Sequence, residues 1–252
     1  MLKQSQISEI CRQLGIKPNK KLGQNFMIDK GTVEKIISLA GFNSLSFDSS
    51  NFDSPNFDSS NFDSSNSDSP NFDSSSGVLE IGPGFGALTD YLIESSQSYI
   101  GIEYDKKIFA WLNERYKSES QPKTQQKSQQ KSQQKGHQKS VNFFHLDAMK
   151  LPERLDAMKL SDGGKNYEFD SKFNFNYLVA NLPYNIAIPL LISYFRYFPQ
   201  LKKAIVLVQK EAADRILAKK NEANYSIPSV KLDLLTHRKK LLAVPPSVFW
   251  PR

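Results

Sequence analysis

The sequence predicts an α/β fold built on a doubly wound, mostly parallel β-sheet. Short apolar segments typical of buried strands alternate with segments whose apolar residues recur at helical spacing. A glycine-rich turn follows the first strong strand, and a polar residue ends or follows three later ones, at Glu103, Asp147 and Asn181. Because parallel strands need long crossover connections, this alternation favours a sheet with helices on both faces.

Each predicted element rests on its apolar pattern. In residues 31–40, the apolar residues Val33, Ile36, Ile37 and Ala40 lie on one side of a helix. The runs "GVLEIG" and "SYIGIE" carry the β-branched and aromatic residues typical of strands. The predicted strands are 77–82, 98–103, 141–147, 177–183 and 204–209, one more is predicted within 231–244, and the predicted helices are 31–40, 86–95, 105–116 and 209–219.

Two segments of biased composition interrupt the alternation. Residues 46–76 repeat a five-residue unit such as "NFDSS", and residues 117–140 carry a lysine every four residues over most of their length. The five-residue period matches neither a helix nor a strand, its Ser, Asp and Pro solvate the backbone well, and the second segment is also of low complexity, so we predict two disordered insertions. Each falls between a helix and the next strand. We therefore expect both at the amino edge of the sheet, away from the carboxyl edge where ligands bind.

The charge balance favours an anionic partner, with nucleic acid first. Residues 46–76 contain six Asp and no Lys or Arg, a charge of −6, and residues 117–140 contain six Lys and one Glu, a charge of +5. Since the whole chain carries +7, the remaining residues carry a net charge of +8. The basic excess thus belongs to the folded part. A merely soluble basic protein is equally compatible with the charge alone.

Cysteine and histidine usage excludes several classes of site. Cys11 is the single cysteine, so the chain has neither an internal disulfide framework nor a cysteine metal cluster, and the scattered histidines lack metal-ligand spacing. We expect no metal. No apolar run approaches the ~20 residues of a membrane span, and the first residues lack the apolar core of a signal peptide. A soluble, cytoplasmic protein is expected.

The glycine turn "EIGPGFGALTD" follows a strand and opens a helix. Gly82, Gly84 and Gly86 let the backbone pass close to a ligand, and the helix amino end adds donors. The spacing differs from the dinucleotide fingerprint, and no phosphate-binding Lys-Ser/Thr pair follows. The turn therefore favours a nucleoside ligand without a pyrophosphate.

Two acidic residues follow at the next strand ends. Glu103 is placed to accept both ribose hydroxyls, unless it is a surface residue that begins a helix. Asp147 is placed to accept a hydrogen bond from an adenine amino group. The run "LDAMKL" occurs at 146–151 and again at 155–160, so Asp156 is the counterpart of Asp147. We prefer Asp147 because it directly follows an apolar run, and we interpret the second copy as a lengthened loop.

The stretch Asn181-Leu182-Pro183-Tyr184 ends the fourth predicted strand of the sheet. The Asn181 side-chain oxygen and the Leu182 carbonyl can both accept hydrogen bonds from an exocyclic amine, and Pro183 restrains the turn that aims them. Tyr184 can stack on the ring. Taken alone this is an ordinary turn, but after the glycine turn and two acidic strand ends it indicates an adenine pocket.

The chain resembles the small-subunit ribosomal RNA adenine dimethyltransferases. The similar motifs are "KKLGQNFMIDKGTVEKI", "VLEIGPGFGALT", "GIEYD", "LDAM", "NLPYNIAIPLL", "VQKEAADRILAK" and "VPPSVFWP", in order from about residue 17 to 252. The resemblance implies a Rossmann-like methyltransferase fold, S-adenosyl-L-methionine as cofactor, and N6,N6-dimethylation of two adjacent adenosines near the 3′ end of small-subunit rRNA during ribosome biogenesis. The implied partner is the immature small ribosomal subunit, and we expect a monomer. Two alternatives stay open: a large-subunit rRNA methyltransferase of the antibiotic-resistance type, and a non-catalytic RNA-binding assembly factor.

The resemblance also assigns roles to residues. It implies cofactor contacts by Asn25 and Met27, where the family more usually has Leu at the position of Met27, and by the turn of Gly82, Gly84 and Gly86. It also implies that Glu103 contacts the cofactor ribose, that Asp147 contacts the cofactor adenine, and that Asn181 belongs to the cofactor site. It places Asn181, Leu182, Pro183 and Tyr184 at the target adenine, and makes Phe249 an aromatic that closes over the flipped base, unless Phe249 is a core residue.

The family pattern continues beyond "VPPSVFWP" with a further strand and a small helical domain. We therefore expect residues 1–252 to form the catalytic domain without that carboxyl-terminal part. Basic residues are expected to contact the rRNA backbone: Lys17, Lys20, Lys21, Lys202, Lys203, Lys210, Arg215, Lys219, Lys220 and the run His237-Arg238-Lys239-Lys240.

Overall fold

The computed structural model describes residues 1–19, 23–42, 72–117, 139–154 and 174–251. The strands are β1 (Phe26–Met27), β2 (Gly77–Ile81), β3 (Ser98–Glu103), β4 (Ser140–His145), β5 (Tyr177–Asn181), β6 (Lys203–Leu207) and β7 (Phe249–Trp250). The helices are α1 (Gln4–Leu14), α2 (Lys30–Leu39), α3 (Thr89–Ser95), α4 (Lys106–Arg115), α5 (Tyr184–Tyr197), α6 (Lys210–Leu217) and α7 (Ile227–Leu235).

The main sheet has five parallel strands in the order β4–β3–β2–β5–β6. The chain runs outward from β2 to β3 and β4, then crosses back to β5 on the other side of β2. In the register, Ile81 lies opposite both Ile102 and Ala180. The order of strands thus reverses between β2 and β5, and a crevice at the carboxyl ends of these two strands is where such sheets bind ligands.

Helices cover both faces of the sheet and pack their apolar sides against it. Val78, Tyr99 and Val179 belong to one core cluster, which also contains buried residues of α1, α2, α3 and α4. The alternate strand residues Leu79 and Ile100 belong to a second cluster with buried residues of α5, α6 and α7. Since successive strand side chains point to opposite faces, this division confirms the predicted doubly wound α/β sheet.

The element at 231–244 was predicted wrongly as a strand. Its first residues belong to helix α7, and the following residues 236–245 form no strand. Ser226 and Ser229 cap the start of α7 reciprocally, Pro228 suits its first turn, and Leu232 is buried. Helices α1 and α5 and the short strands β1 and β7 were not predicted. The five other predicted strands are all present, with ends shifted by a few residues.

The described residues at the carboxyl ends of the two biased segments are packed against the folded part. Phe72, in the last repeat unit, packs against Phe42 at 4.2 Å and Tyr177 at 4.6 Å between ring centroids. Lys139 donates hydrogen bonds from Nζ to the carbonyls of Ile93 and Glu94 at the end of α3. Each segment leads into the amino end of a strand, as expected. The predicted disorder at 46–71 and 118–138, and the second "LDAMKL" copy with Asp156, lie outside the described residues.

In the part of the chain that the structure describes, no helix has the length and apolar character needed to cross a membrane.

Candidate functional site

A cleft of about 220 Å³ opens at the carboxyl edge of the sheet, where the strand order reverses. It lies between the ends of β2 and β3, the turn after β4, and the end of β5. Most of the predicted site residues line this cleft: Asn25, Gly82, Gly84, Glu103, Asp147, Asn181, Leu182 and Pro183. The structure thus brings together residues from five separate stretches of the sequence.

The three glycines of the turn after β2 have positive φ angles, but they do different things. A Cβ on Gly82 would find its nearest atom, the Asn181 carbonyl oxygen, 3.9 Å away, so the backbone here faces open space. A Cβ on Gly86 would lie 2.6 Å from the Tyr116 hydroxyl. Gly82 therefore exposes backbone to the cleft, whereas Gly86 allows close packing behind the turn and does not line the cleft.

Glu103 presents a buried carboxylate to the cleft. Only 7% of the residue is exposed. Its Oε2 accepts a hydrogen bond from the Gly84 backbone N–H at 3.2 Å, and its Oε1 accepts one from the Asp105 backbone N–H at 2.9 Å. Burial raises the pKa of Glu103, and these backbone hydrogen bonds oppose the shift. A carboxylate offers about four acceptor positions, and the Tyr104 backbone N–H is a third donor to this one, so one position remains for a ligand.

Asp147 lies in the turn after β4, next to the end of β3 that carries Glu103. Its Oδ1 accepts a hydrogen bond at 3.0 Å from the backbone N–H of Met149 and so caps the 3₁₀ turn Ala148–Lys150. That turn explains why β4 ends at His145 rather than at 147. The Asp147 side chain is thus oriented locally while its residue lines the cleft.

Asn181, Leu182 and Pro183 form the end of β5. The Asn181 Nδ2 donates a hydrogen bond to the backbone carbonyl of Asn25 at 3.1 Å, and the Leu182 N–H donates to the Leu207 carbonyl at 2.9 Å. Pro183 caps the start of α5 with φ −57°. One of the two amide N–H groups of Asn181 is therefore bonded within the protein, which orients the side chain and leaves its oxygen as an acceptor for a ligand.

The segment Gly23–Met27 crosses the cleft edge. A side chain at Gly23, which has a φ of +66°, would overlap the Pro183 ring. Phe26 packs on Phe85 at 4.5 Å between centroids, and Met27 is buried. Met27 lines a second, smaller cavity beneath the glycine turn and not the cleft.

Comparison with known proteins decides the family. The sequence model of the family described as ribosomal RNA adenine dimethylase matches residues 15–252. The chain belongs to this family.

Relatives and a solved structure resemble this dimethylase-family chain over most of its length. The ribosomal RNA small subunit methyltransferase A of Kineococcus radiotolerans is 29% identical over 251 residues, which are 100% of this chain and 63% of the relative. The protein of that name from Bifidobacterium adolescentis is 29% identical over 252 residues, 100% of this chain and 65% of the relative. A crystal structure of a dimethyladenosine transferase from Plasmodium falciparum shares the fold, with a TM-score of 0.51 and 23% identity over 83% of this chain and 52% of that one. The chain therefore spans just under two thirds of the length of these curated relatives.

Two aromatic residues predicted at the dimethylase site do not line the cleft. Tyr184 is 39% exposed at the start of α5, with the Arg215 guanidinium 5.9 Å from its ring centroid. Phe249 is half-buried in β7, where it pairs with Met27 of β1. The two side chains flank the site without entering the cleft in this conformation.

Tyr104 is a cleft residue that the sequence reasoning missed. It is 59% exposed, it lines the cleft between Glu103 and Asp105, and its carbonyl accepts a hydrogen bond from His145 Nε2 at 3.0 Å. An exposed aromatic ring beside a carboxylate can stack on a base. The available signal was its position directly after Glu103 at a strand end.

Glu80 lies beneath the glycine turn and is only 2% exposed. Its Oε2 accepts hydrogen bonds from the Thr89 hydroxyl at 2.7 Å and the Tyr99 hydroxyl at 2.6 Å. Burial raises the pKa of Glu80 to about 7, against the effect of these two donors. The carboxyl group joins β2, α3 and β3 under the cleft floor.

Within the described ranges, no three His, Cys, Asp or Glu side chains are grouped as metal ligands would be.

Proposed function

We propose that this chain is the catalytic part of an S-adenosyl-L-methionine-dependent rRNA adenine N6,N6-dimethyltransferase. Its proposed substrate is a pair of adjacent adenosines near the 3′ end of small-subunit rRNA, in the immature small subunit. The observation that carries the proposal is the Asn181 amide, fixed by Asn25 beside a cleft that also presents Glu103 and Asp147. The names of the relatives support the choice of rRNA.

The cleft residues fit S-adenosyl-L-methionine. Open space in front of Gly82 suits the methionine part, the remaining acceptor position of Glu103 suits a ribose hydroxyl, and Asp147 suits the adenine amino group. The exposed ring of Tyr104 adds a stacking surface. When bound, this cofactor supplies a methyl group carried on a positively charged sulfur.

The protein's contribution to the reaction is to orient the target amine. Adenine N6 is a poor nucleophile because its lone pair is delocalised into the ring. The two N–H groups of the amine donate hydrogen bonds to Asn181 Oδ1 and to the Leu182 carbonyl. This geometry favours a pyramidal nitrogen whose lone pair is free to react. Alignment then supplies most of the rate. Asn181 cannot act as a base, so the proton of the methylated amine leaves to solvent.

Tyr184 and Phe249 are proposed to contact the flipped target adenine from the rim of the cleft. Tyr184 directly follows Pro183, and its exposed ring is free to turn from Arg215 toward a base. Phe249 is held near the site because β7 pairs with β1, whose segment also carries Asn25. A flipped base stacked between aromatic side chains is a common arrangement in base-modifying enzymes.

The exposed basic residues are proposed to contact rRNA phosphates. The exposed members of the predicted set among the described residues are Lys17, Lys202, Lys210, Arg215, Lys219, Lys220, His237, Lys239 and Lys240. Lys203 does not suit this role, because its Nζ donates to the Ala40 carbonyl at 2.8 Å and burial lowers its pKa. Arg238 pairs with Asp233 and donates to the Ile216 carbonyl, which makes it structural. Lys20 and Lys21 lie outside the described residues.

Methyl transfer to immature small subunits tests the proposal. The assay uses radiolabelled S-adenosyl-L-methionine with this chain and with a version extended by the carboxyl-terminal part of a relative. We expect Asn181→Ala to abolish methylation while calorimetry still detects cofactor binding. Methylation retained by Asn181→Ala would remove the central role given to Asn181.

The same experiment separates the two alternative functions. Primer extension on both rRNAs shows whether the methyl groups lie on the small or the large subunit. A non-catalytic assembly factor would bind rRNA but give no heat signal with S-adenosyl-L-methionine.

A further inference from the structure

Gln24 ties the segment Gly23–Met27 to one wall of the cleft. Its Nε2 donates a hydrogen bond to Asp105 Oδ2 at 3.1 Å. Its Oε1 accepts one from the Asn19 backbone N–H at 2.8 Å, and its own backbone N–H donates to the Asn19 carbonyl at 3.2 Å. The side-chain amide of Gln24 is thus held at both ends.

The anchor that Gln24 uses is itself fixed. Asp105 Oδ1 accepts hydrogen bonds from the backbone N–H groups of Lys107 and Ile108, which caps the start of α4. The Asp105 N–H donates to Glu103 Oε1. Asp105 therefore cannot follow a displaced Gln24 without loss of a helix cap.

The next residue in the chain touches the other wall. The carbonyl of Asn25 accepts the hydrogen bond from Asn181 Nδ2, and Gly23 lies against Pro183. A single peptide unit therefore separates the tie to Asp105 from the acceptor that fixes the Asn181 amide. The segment spans the cleft from the carboxylate side to the amide side.

We infer that Gln24 is a positioning residue for methyl transfer: its hydrogen bond to Asp105 holds the Asn25 carbonyl where it keeps the Asn181 oxygen turned toward the target amine. A side-chain amide has two orientations of nearly equal shape, and the hydrogen bonds around it choose between them. A displaced Asn25 carbonyl frees the Asn181 amide to turn, which presents N–H groups to an amine that needs an acceptor. This inference rests on the proposed function of Asn181.

A charge exchange across the Gln24–Asp105 contact tests the inference. Gln24→Glu places two carboxylates against each other, whereas the double variant Gln24→Glu/Asp105→Asn restores one donor and one acceptor. Asn at 105 still accepts the two backbone N–H groups at the start of α4. Gln13→Glu is the matched control, because Gln13 Nε2 donates to Glu9 on the exposed face of α1 in the same type of contact.

The wild type and the three variants are compared by a spectroscopic measurement and by two solution constants, kcat and Kd. The first is the side-chain amide signal of Asn181 in ¹⁵N–¹H spectra, assigned by its absence in Asn181→Ala. The second is kcat for methyl transfer at saturating substrates, beside the Kd for S-adenosyl-L-methionine. We expect Gln24→Glu to shift the Asn181 signal and to lower kcat by about tenfold, as loss of one oriented hydrogen bond does. Its Kd should stay within about twofold.

Rescue distinguishes positioning from a structural role. The double variant should restore both the Asn181 signal and kcat, and Gln13→Glu should leave both unchanged. An unshifted Asn181 signal in Gln24→Glu, or no restoration in the double variant, overturns the inference. Lack of methyl transfer by the wild type contradicts the proposed function instead, because the amide signal reports positioning without turnover.

Discussion

The side-chain amide nitrogen of Asn181 donates a hydrogen bond at 3.1 Å to the backbone carbonyl of Asn25, 156 positions earlier in the sequence. This contact joins the end of β5 to the segment before β1. It orients the Asn181 amide at the cleft, and in the proposed function it makes the amino-terminal segment part of the site for both the target base and the cofactor.

Asn181→Asp is predicted to lower methyl transfer at least about 100-fold, because an oxygen replaces the donor that faces the Asn25 carbonyl. The same acceptor–acceptor contact should reduce the free energy of unfolding by roughly 1 to 3 kcal/mol. Methylation assays and urea denaturation measure the two effects. Asn113→Asp is the matched control, since Asn113 Nδ2 also donates to a backbone carbonyl, that of Phe109, on an exposed helix face. Equal effects of the two substitutions would contradict the role of the Asn181 contact.

Tyr104→Ala is predicted to weaken cofactor binding by about tenfold or more, because base stacking on an aromatic ring contributes roughly 1 to 3 kcal/mol. Calorimetry with S-adenosylhomocysteine measures the change. Tyr197→Ala serves as control, since Tyr197 is 45% exposed on α5 and does not line the cleft. Unchanged affinity in Tyr104→Ala would show that the ring makes no contact with the bound nucleoside.

Gly82→Ala and Gly86→Ala are predicted to fail in different ways, although both residues have positive φ. Gly82→Ala places a methyl group in the cleft and should weaken cofactor binding more than tenfold. Its free energy of unfolding should fall by only about 1 kcal/mol. Gly86→Ala meets the Tyr116 hydroxyl and should cost about 2 to 3 kcal/mol of unfolding free energy. Adding Tyr116→Phe to Gly86→Ala should recover part of that loss. Urea denaturation and calorimetry on the same samples separate the two effects, and a reversed order would contradict the assignment.

The buried carboxyl of Glu80 predicts that stability falls as pH rises. Its pKa of about 7 lies above the ordinary value of 4.5, so between these pH values the folded state keeps a proton that the unfolded state has already released. The free energy of unfolding should therefore decrease by about 2 kcal/mol between pH 5 and pH 8 from this group alone. Glu80→Gln keeps an oxygen for Thr89 and Tyr99 and should flatten this slope. Denaturation curves across that pH range check it, and an equal slope in both proteins would contradict the raised pKa.

Much of the fold was predictable because each buried strand of the main sheet carries its own apolar run, and helices α2, α3, α4 and α6 each carry an apolar stripe. The carboxyl-edge residues were predictable for the same reason, since the end of a parallel strand fixes where Glu103 or Asn181 lies. Residues 231–244 were mistaken because an apolar run alone does not distinguish a strand from a helix, and the cap by Ser226 decided for α7. Gln24 could not be assigned from sequence, since its role depends on a contact with Asp105, 81 positions away.

The contact of Phe42 with Phe72, whose ring planes are tilted by 41°, brings together the two ends of the connection 43–71, which contains most of the five-residue repeat. Once its ends are joined, the entropy of closing a connection changes only with the logarithm of its length. Removal or addition of one repeat unit then alters the closure free energy by about 0.2 kcal/mol. A change in the number of repeat units is therefore expected to leave the free energy of unfolding almost unchanged.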